Sequence, residues 1–183
     1  MGRTYELRRT RCSTGSARKG ASPPGDTGVD DVMNVRFQIR EYDESNKDEV
    51  RSLFNTVYAD GGAQADRLMA AYTMNAERHV ITKIAVSEDN KIVGQANMWR
   101  SRKTQDSATI GYHVHPGYRR RGIAAALCEA AMQDAEAAGL KRVYVLTYRD
   151  NQPSIALATS LGFEPTPMGL NNEYIIGFVK FLG

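Results

Sequence analysis

The stretch HVHPGYRRRGIAAAL, residues 113–127, constrains this chain more than any other. A strand-like run, ATIGYHV, enters a Pro-Gly turn, and three arginines then precede Gly122 and an alanine-rich helix. A helix that starts straight after a tight turn leaves its first backbone N–H groups without intrahelical partners. The helix dipole adds partial positive charge at the same point, so the junction suits an anion, phosphate above all. Close approach of a phosphate needs small residues, which Gly122 and the alanines 124–126 supply. Ile123 and Leu127 are left to face the core. Taken without their neighbours, Arg119, Arg120 and Arg121 fit a solvated loop, a nucleic-acid patch or the rim of a phosphate site.

The distribution of charge weighs against nucleic acid. The net charge is +3, but residues 1–20 carry six Lys/Arg and one acid, which is +5 and leaves −2 for the remainder. A slightly acidic body cannot neutralise the many phosphates from which such affinity comes, so no nucleic-acid partner is expected. No apolar run nears the ~20 residues of a membrane helix, and no membrane association is expected. With 183 residues and 42% apolar content, the chain fits one domain with a real core. Cys12 lies in a polar tail and Cys128 in an expected helix. They make no disulfide framework, and a reducing, cytoplasmic setting is the expectation. None of the three histidines and two cysteines stands at ligand spacing, so no metal is expected.

Residues 1–33 are dominated by Ser, Thr, Gly, Pro and Arg, and no period lasts in them. They read as a disordered basic tail, as a transit peptide, or as a non-native upstream extension before a start at Met33. The folded domain is expected over residues 34–183. Val35, Phe37 and Ile39 alternate with polar neighbours as in a strand. Val50, Leu53, Phe54, Val57 and Tyr58 mark one face of a helix, and after DGG at 60–62 a second helix carries Ala65, Leu68, Met69, Tyr72 and Ala76. Three strands follow, TKIAVS, KIVGQANMW and ATIGYHV, the first two joined by the turn EDN. The helix behind the arginines runs to about Ala138 and stops at Gly139. RVYVLTY is a strand, and NQPSIALATSLGF a helix with Pro153 in its first turn and Gly162 at its end. Two strands close the chain, around 163–166 and 173–181. The order predicts an α/β domain on a mixed sheet of six or seven strands with about four helices, hairpins on one side and helical crossovers on the other.

The segment from residue 119 to 124, Arg-Arg-Arg-Gly-Ile-Ala, resembles the Q/R-x-x-G-x-G/A signature of the GNAT superfamily of N-acetyltransferases. IGYHVHPGYRRRGIAAAL is similar to that family's strand, Pro turn and loop in order and spacing, and Asn151, Ile155, Leu161, Gly162 and Phe163 fall in register with its N-x-x-A-I-…-L-G-F segment. The resemblance covers residues 34–183. It implies the GNAT-like acyl-CoA N-acyltransferase fold and acetyl-CoA as co-substrate. Backbone groups around Val114 would then hold the pantetheine arm as an added strand, at a splay between two sheet strands. The backbone of Arg119, Arg120, Arg121, Gly122, Ile123 and Ala124 would hold the pyrophosphate, and Asn151 would hydrogen-bond the cofactor. The same Asn151 also fits as a helix cap.

The resemblance breaks at the acid–base groups. Many members carry a tyrosine on the last long helix, where this chain has Ala158, and a glutamate in the strand before the loop, where it has Ala108 or Thr109. No carboxylate occurs between Asp106 and Glu129. The catalytic residues are therefore unassigned. His113 and Tyr148 are candidates, followed by Asp106, Tyr112 and Glu173, and the side of the strand on which His113 lies stays open. Met98, Trp99 and Tyr72 fit either a substrate pocket or ordinary core. The expected activity is acetyl-CoA-dependent acetylation of an amine, on a small molecule or a protein, by a monomer or homodimer. The alternative is a catalytically weak coenzyme A-binding regulatory module.

Overall fold

The structure, a computed structural model, describes residues 3–5, 36–58, 60–74, 76–167 and 173–183. The element order is β1 (Arg3–Tyr5), β2 (Phe37–Glu41), α1 (Lys47–Val57), α2 (Ala63–Met74), β3 (His79–Ser87), β4 (Ile92–Arg100), β5 (Ser107–Val114), α3 (Ile123–Ala137), β6 (Arg142–Tyr148), α4 (Gln152–Ser160), β7 (Glu164–Thr166) and β8 (Ile175–Phe181). From β2 onward this is the order that the hydrophobic periods predict. Three residues of the tail, Arg3–Tyr5, add an edge strand against β2 where no period was legible. The rest of residues 1–33 lies outside the described residues, as does Val35.

The strands form one mixed sheet in the order β1-β2-β3-β4-β5-β6-β8-β7. Strands β2 to β5 pair antiparallel in turn, with α1 and α2 between β2 and β3 and short connections from β3 to β4 and from β4 to β5. The α3 crossover makes β5 and β6 parallel, and β8 inserts antiparallel between β6 and β7. One face of the sheet carries α1 and α2, whose Val50, Leu53, Phe54, Ala65 and Met69 pack on Ile84, Val86 and Ile92. The other carries α3 and α4 over the larger core, which includes Ala96, Met98, Ala108, Ile110, Leu127 and Ala158. Lys83 is buried beneath α3 and pairs with Glu41 on β2 and Asp134 on α3. Burial alone would lower its pKa, but these two carboxylates outweigh burial and raise it.

The alanine-rich sequence of α3 has a direct packing reason. Residues 126, 130, 131 and 135 are buried alanines, so the helix lies close on the strands. Gly94 on β4 completes the fit. A Cβ there would stand 2.9 Å from Cγ2 of Ile123 and 3.0 Å from Cδ1 of Leu127, both of which are fully buried. Gly94→Val should therefore push the first turn of α3 off the sheet and destabilise the domain by roughly 1–3 kcal/mol. Chemical denaturation would show this, and an unchanged midpoint would contradict the packing.

Candidate active site

Strand β5 leaves the sheet partly open. It pairs with β6 only at Ser107, Ala108 and Thr109, opposite Arg142, Val143 and Tyr144. Beyond that point residues 110–114 keep their ladder to β4 but have none to β6, while β6 stays paired to β8 along its whole length. The two parallel strands thus splay apart towards the arginine loop. The N–H of His115 donates to the carbonyl of Val93 on β4 at 2.9 Å. Backbone direction alternates along a strand, so the amide and carbonyl of Val114 and of Tyr112 face the opened edge. An extended chain can add there as a strand. The Val114 carbonyl is engaged by Nε of Arg119 at 3.2 Å.

The opened edge leads straight to the start of α3. Pro116–Tyr118 make a short 3₁₀ turn capped by His115, whose Nδ1 accepts from the Gly117 N–H at 3.1 Å. Arg120 (φ 63°) and Gly122 (φ 71°) are both left-handed, which turns successive N–H groups of the loop inward. Gly122 is the N-cap of α3 and brings no side-chain cap. The first intrahelical bond is Ala126 N–H to Gly122 carbonyl, so the amides of Ile123, Ala124 and Ala125 have no partner within the helix. The donor set is thus backbone amides plus a positive helix end, which is the chemistry a pyrophosphate needs. Ile123 contributes only its backbone, because its side chain is in the core. Arg119 and Arg120 are exposed, and the Arg121 guanidinium lies 5.5 Å from the centre of the Tyr118 ring.

Residues in the splayed part of β5 divide by face. Ile110 and Tyr112 point to the side of α3 and α4. The Tyr112 hydroxyl is 2.6 Å from Oγ of Ser154 in the first turn of α4, and burial pushes its pKa up to about 12. Ser154 and Ala158 share one face of that helix, one turn apart, and Ala158 is buried. Asn151 caps α4, its Oδ1 accepting from the Ser154 N–H at 3.3 Å. Cys128 is a buried free thiol, pushed up to about 12 by its burial, and unreactive for that reason.

His113 points to the other side, under α1. Its Nε2 lies 2.7 Å from the Tyr58 hydroxyl and its Nδ1 3.3 Å from Oε1 of Gln95 on β4. Phe54 and Tyr58 meet the imidazole edge-on, with ring centres at 5.0 Å and 5.5 Å. Burial pushes its pKa down to about 4, so it is neutral at pH 7. Polar side chains continue along this face of β4. The Asn97 amide donates to the Gly111 carbonyl at 3.1 Å and accepts from Nε1 of Trp99 at 2.6 Å. Trp99 in turn packs on the ring of His79.

The other expected residues scatter. Tyr148, at the open end of β6, is exposed and close enough to Tyr58 to raise that phenol's pKa, after burial itself. Glu173 is exposed at the same end of the sheet, its carbonyl accepting from Nε of Arg149 at 2.8 Å. Asp106 does not reach the site. It stands at the far end of β5, eight residues and about 25 Å of strand from Val114, and is paired with Arg142 at 2.7 Å. Met98 is plain core, on the α3 face. The Tyr72 side chain lies outside the described residues. Neither Tyr58 nor Gln95 stands out as a functional residue in the sequence. The helical period assigned Tyr58 to the core face of α1, but it is the residue that ends the helix, half-buried, with its hydroxyl turned onto β5.

A model of the acetyltransferase (GNAT) family matches residues 45–163, which spans both the splayed strand and the loop. The chain belongs to the GNAT acetyltransferase family. Solved structures agree on the fold of this GNAT protein. The GNAT domain of S. lividans PAT superposes with a TM-score of 0.70 at 13% identity, covering 81% of this chain and 92% of its own. The yncA protein of Salmonella typhimurium, solved with its cofactor acetyl-CoA, gives 0.64 at 19%, covering 80% and 94%. The ribosomal-protein-S18-alanine N-acetyltransferase of Escherichia coli gives 0.64 at 20%, again covering 80% and 94%. Among the described residues of this GNAT domain no helix is long and apolar enough to cross a membrane, and no three His, Cys, Asp or Glu stand together as a metal site.

Proposed function

We propose that this protein transfers the acetyl group of acetyl-CoA to an amine, of a small molecule or a protein, by direct attack in a ternary complex. The observation that carries the reading is the continuity between the opened edge of β5 and the uncapped start of α3. A pantetheine arm and a pyrophosphate need those two surfaces in that order. The Salmonella relative that holds acetyl-CoA has the same fold, which supports the choice of co-substrate. When bound, acetyl-CoA supplies a thioester whose thiolate, of pKa ~8.5, leaves readily.

The chain's own residues do the holding. The backbone of Tyr112 and Val114 takes the pantetheine arm, and that of residues 119–124 the pyrophosphate, with Arg119, Arg120 and Arg121 at its rim. Asn151 keeps its amide N–H groups for the cofactor, since only its Oδ1 is used as a cap. Arg119 must release the Val114 carbonyl for the arm to pair there. The amine nitrogen forms the new C–N bond as the C–S bond breaks. Its surplus proton passes through water to the thiolate, so one amide and one thiol result. Holding the two reactants together supplies much of the rate. The Tyr112 phenol, protonated at all ordinary pH, reaches from β5 to Ser154, which lies one helical turn before the position of the absent tyrosine. A cytoplasmic location goes with this reading, because the free thiol of Cys128 fits a reducing compartment.

A second reading, a coenzyme A-binding module with little catalysis, is favoured by Ala158 being buried in the core and by Ala108 and Thr109 standing in the strand where a carboxylate is usual. One assay separates them. Purified protein with acetyl-CoA and a panel of primary amines should release free thiol and yield acetylated amine by mass spectrometry. Acetyl-CoA binding with no thiol release from any amine would select the second reading.

A further inference from the structure

We propose that Tyr58 receives the acceptor amine, its hydroxyl turned by His113 so that the oxygen's lone pairs meet the incoming N–H. This rests on the acetyl-transfer reading above. Hydrogen-bond direction fixes the orientation of the Tyr58 hydroxyl. Oε1 of Gln95 can only accept, so Nδ1 of His113 carries the proton and donates to it. A neutral imidazole then has a lone pair at Nε2, and the Tyr58 O–H must be the donor across the 2.7 Å contact. The phenol oxygen is left as an acceptor, held in one orientation by a chain of three side chains from the end of α1, β5 and β4. Histidine is thereby a positioning residue and not the base.

The location matches. His113 is adjacent in sequence to Val114, whose backbone faces the opened edge, and Tyr58 approaches from the sheet face opposite to α3 and α4. An amine arriving over the α1 side meets the phenol just before the strand gap. Among the described residues, the charged and titratable groups that face Tyr58 are His113 on β5, Tyr148 on β6 and Asp60 in the loop after α1. None of these is cationic at neutral pH. The Asp60 carboxylate is fixed by the N–H groups of Gly62 and Gln64. Two phenol oxygens and a carboxylate around one entrance favour a primary amine that arrives as its cation.

Two measurements test this. Tyr58→Phe removes the oxygen and keeps the ring against His113. Taking whichever of 2-phenylethylamine, spermidine and an alanine-ended pentapeptide the wild type acetylates fastest, kcat/KM for the amine should fall about 10- to 100-fold. The KM for acetyl-CoA and the thermal shift it gives should stay as in wild type. Unchanged amine kinetics would overturn the proposal, and so would loss of the acetyl-CoA shift, which would make Tyr58 part of the cofactor site or the fold. The second measurement is nitrogen NMR of ¹⁵N-histidine-labelled wild type and Tyr58→Phe. His113 should remain neutral with its proton on Nδ1 from pH 5.5 to 8.5, and its Nε2 resonance should move in the variant. Titration near the ordinary histidine midpoint, or a proton on Nε2, would overturn the orientation. Failure of the acetyl-transfer reading is seen separately, in wild-type protein that acetylates no amine, and the NMR result still decides the direction of the Tyr58 bond.

Discussion

Acetyl-CoA at about 100 times its dissociation constant should raise the thermal midpoint of the wild type, and Gly122→Glu should abolish the rise. A ligand that binds only the folded state adds ~2.7 kcal/mol at that concentration. For a domain of this size the shift is about 5–10 °C. Glutamate at position 122 brings a carboxylate to the uncapped amides of α3, where the pyrophosphate would sit. Its repulsion of phosphate is a direct loss of affinity. Position 122 also has φ 71°, so any side chain there costs roughly 1–2 kcal/mol and lowers the unliganded midpoint. Gly122→Ala pays that cost without the charge and separates the two effects. The alanine variant should melt lower but still respond to acetyl-CoA. Equal shifts in wild type and Gly122→Glu would contradict the phosphate site.

The rate constant for a primary alkylamine at low concentration should climb about tenfold per pH unit from pH 6.5 to 9. Such amines have pKa near 10, and only the neutral form attacks. Three side chains beside the opened strand, Tyr58, Tyr112 and His113, do not titrate in that window. His113 is pushed down to about 4 by burial, Tyr112 up to about 12, and Tyr58 is raised above its ordinary value by burial and by Tyr148 and Asp60. A histidine base of ordinary pKa would instead flatten the profile above about pH 6.5. With His113 already neutral there, no such break arises, and no falling limb follows as far as pH 9. The one break should track the amine's own pKa, so an α-amino group of pKa about 7.7–8.0 should level off above pH 8. A clear fall above pH 8.5, in protein that circular dichroism shows to be folded, would contradict this.

The features legible in the sequence were those carried by local pattern. Alternation in VRFQIREY and ATIGYHV, the small residues of α3 and the turn signals gave the order of elements, because each rests on neighbours within one turn or one strand. The uncapped start of α3 was legible for the same reason, since the Pro turn, Gly122 and the alanines adjoin one another. The face of His113 was not legible. It depends on the phase of β5 within the sheet, which is set by the partners Gln95 and Ala96 on β4. Tyr58 was hidden by its own period. It continues the apolar stripe of α1, yet it ends the helix, and its hydroxyl bonds a residue 55 positions away. Asp106 drew attention as the last carboxylate before the loop, and only the length of β5 removes it. The strand at Arg3–Tyr5 owes its place to pairing with β2, which three residues of sequence cannot announce.

The most direct test of the account is a crystal structure of the protein with acetyl-CoA bound. The pyrophosphate should lie against the backbone amides of residues 119–124 and the pantetheine arm along Tyr112 and Val114, in the gap between β5 and β6. The thioester should open towards the α1 face, within reach of Tyr58. Acetyl-CoA bound elsewhere, with the gap between β5 and β6 left empty, would contradict it.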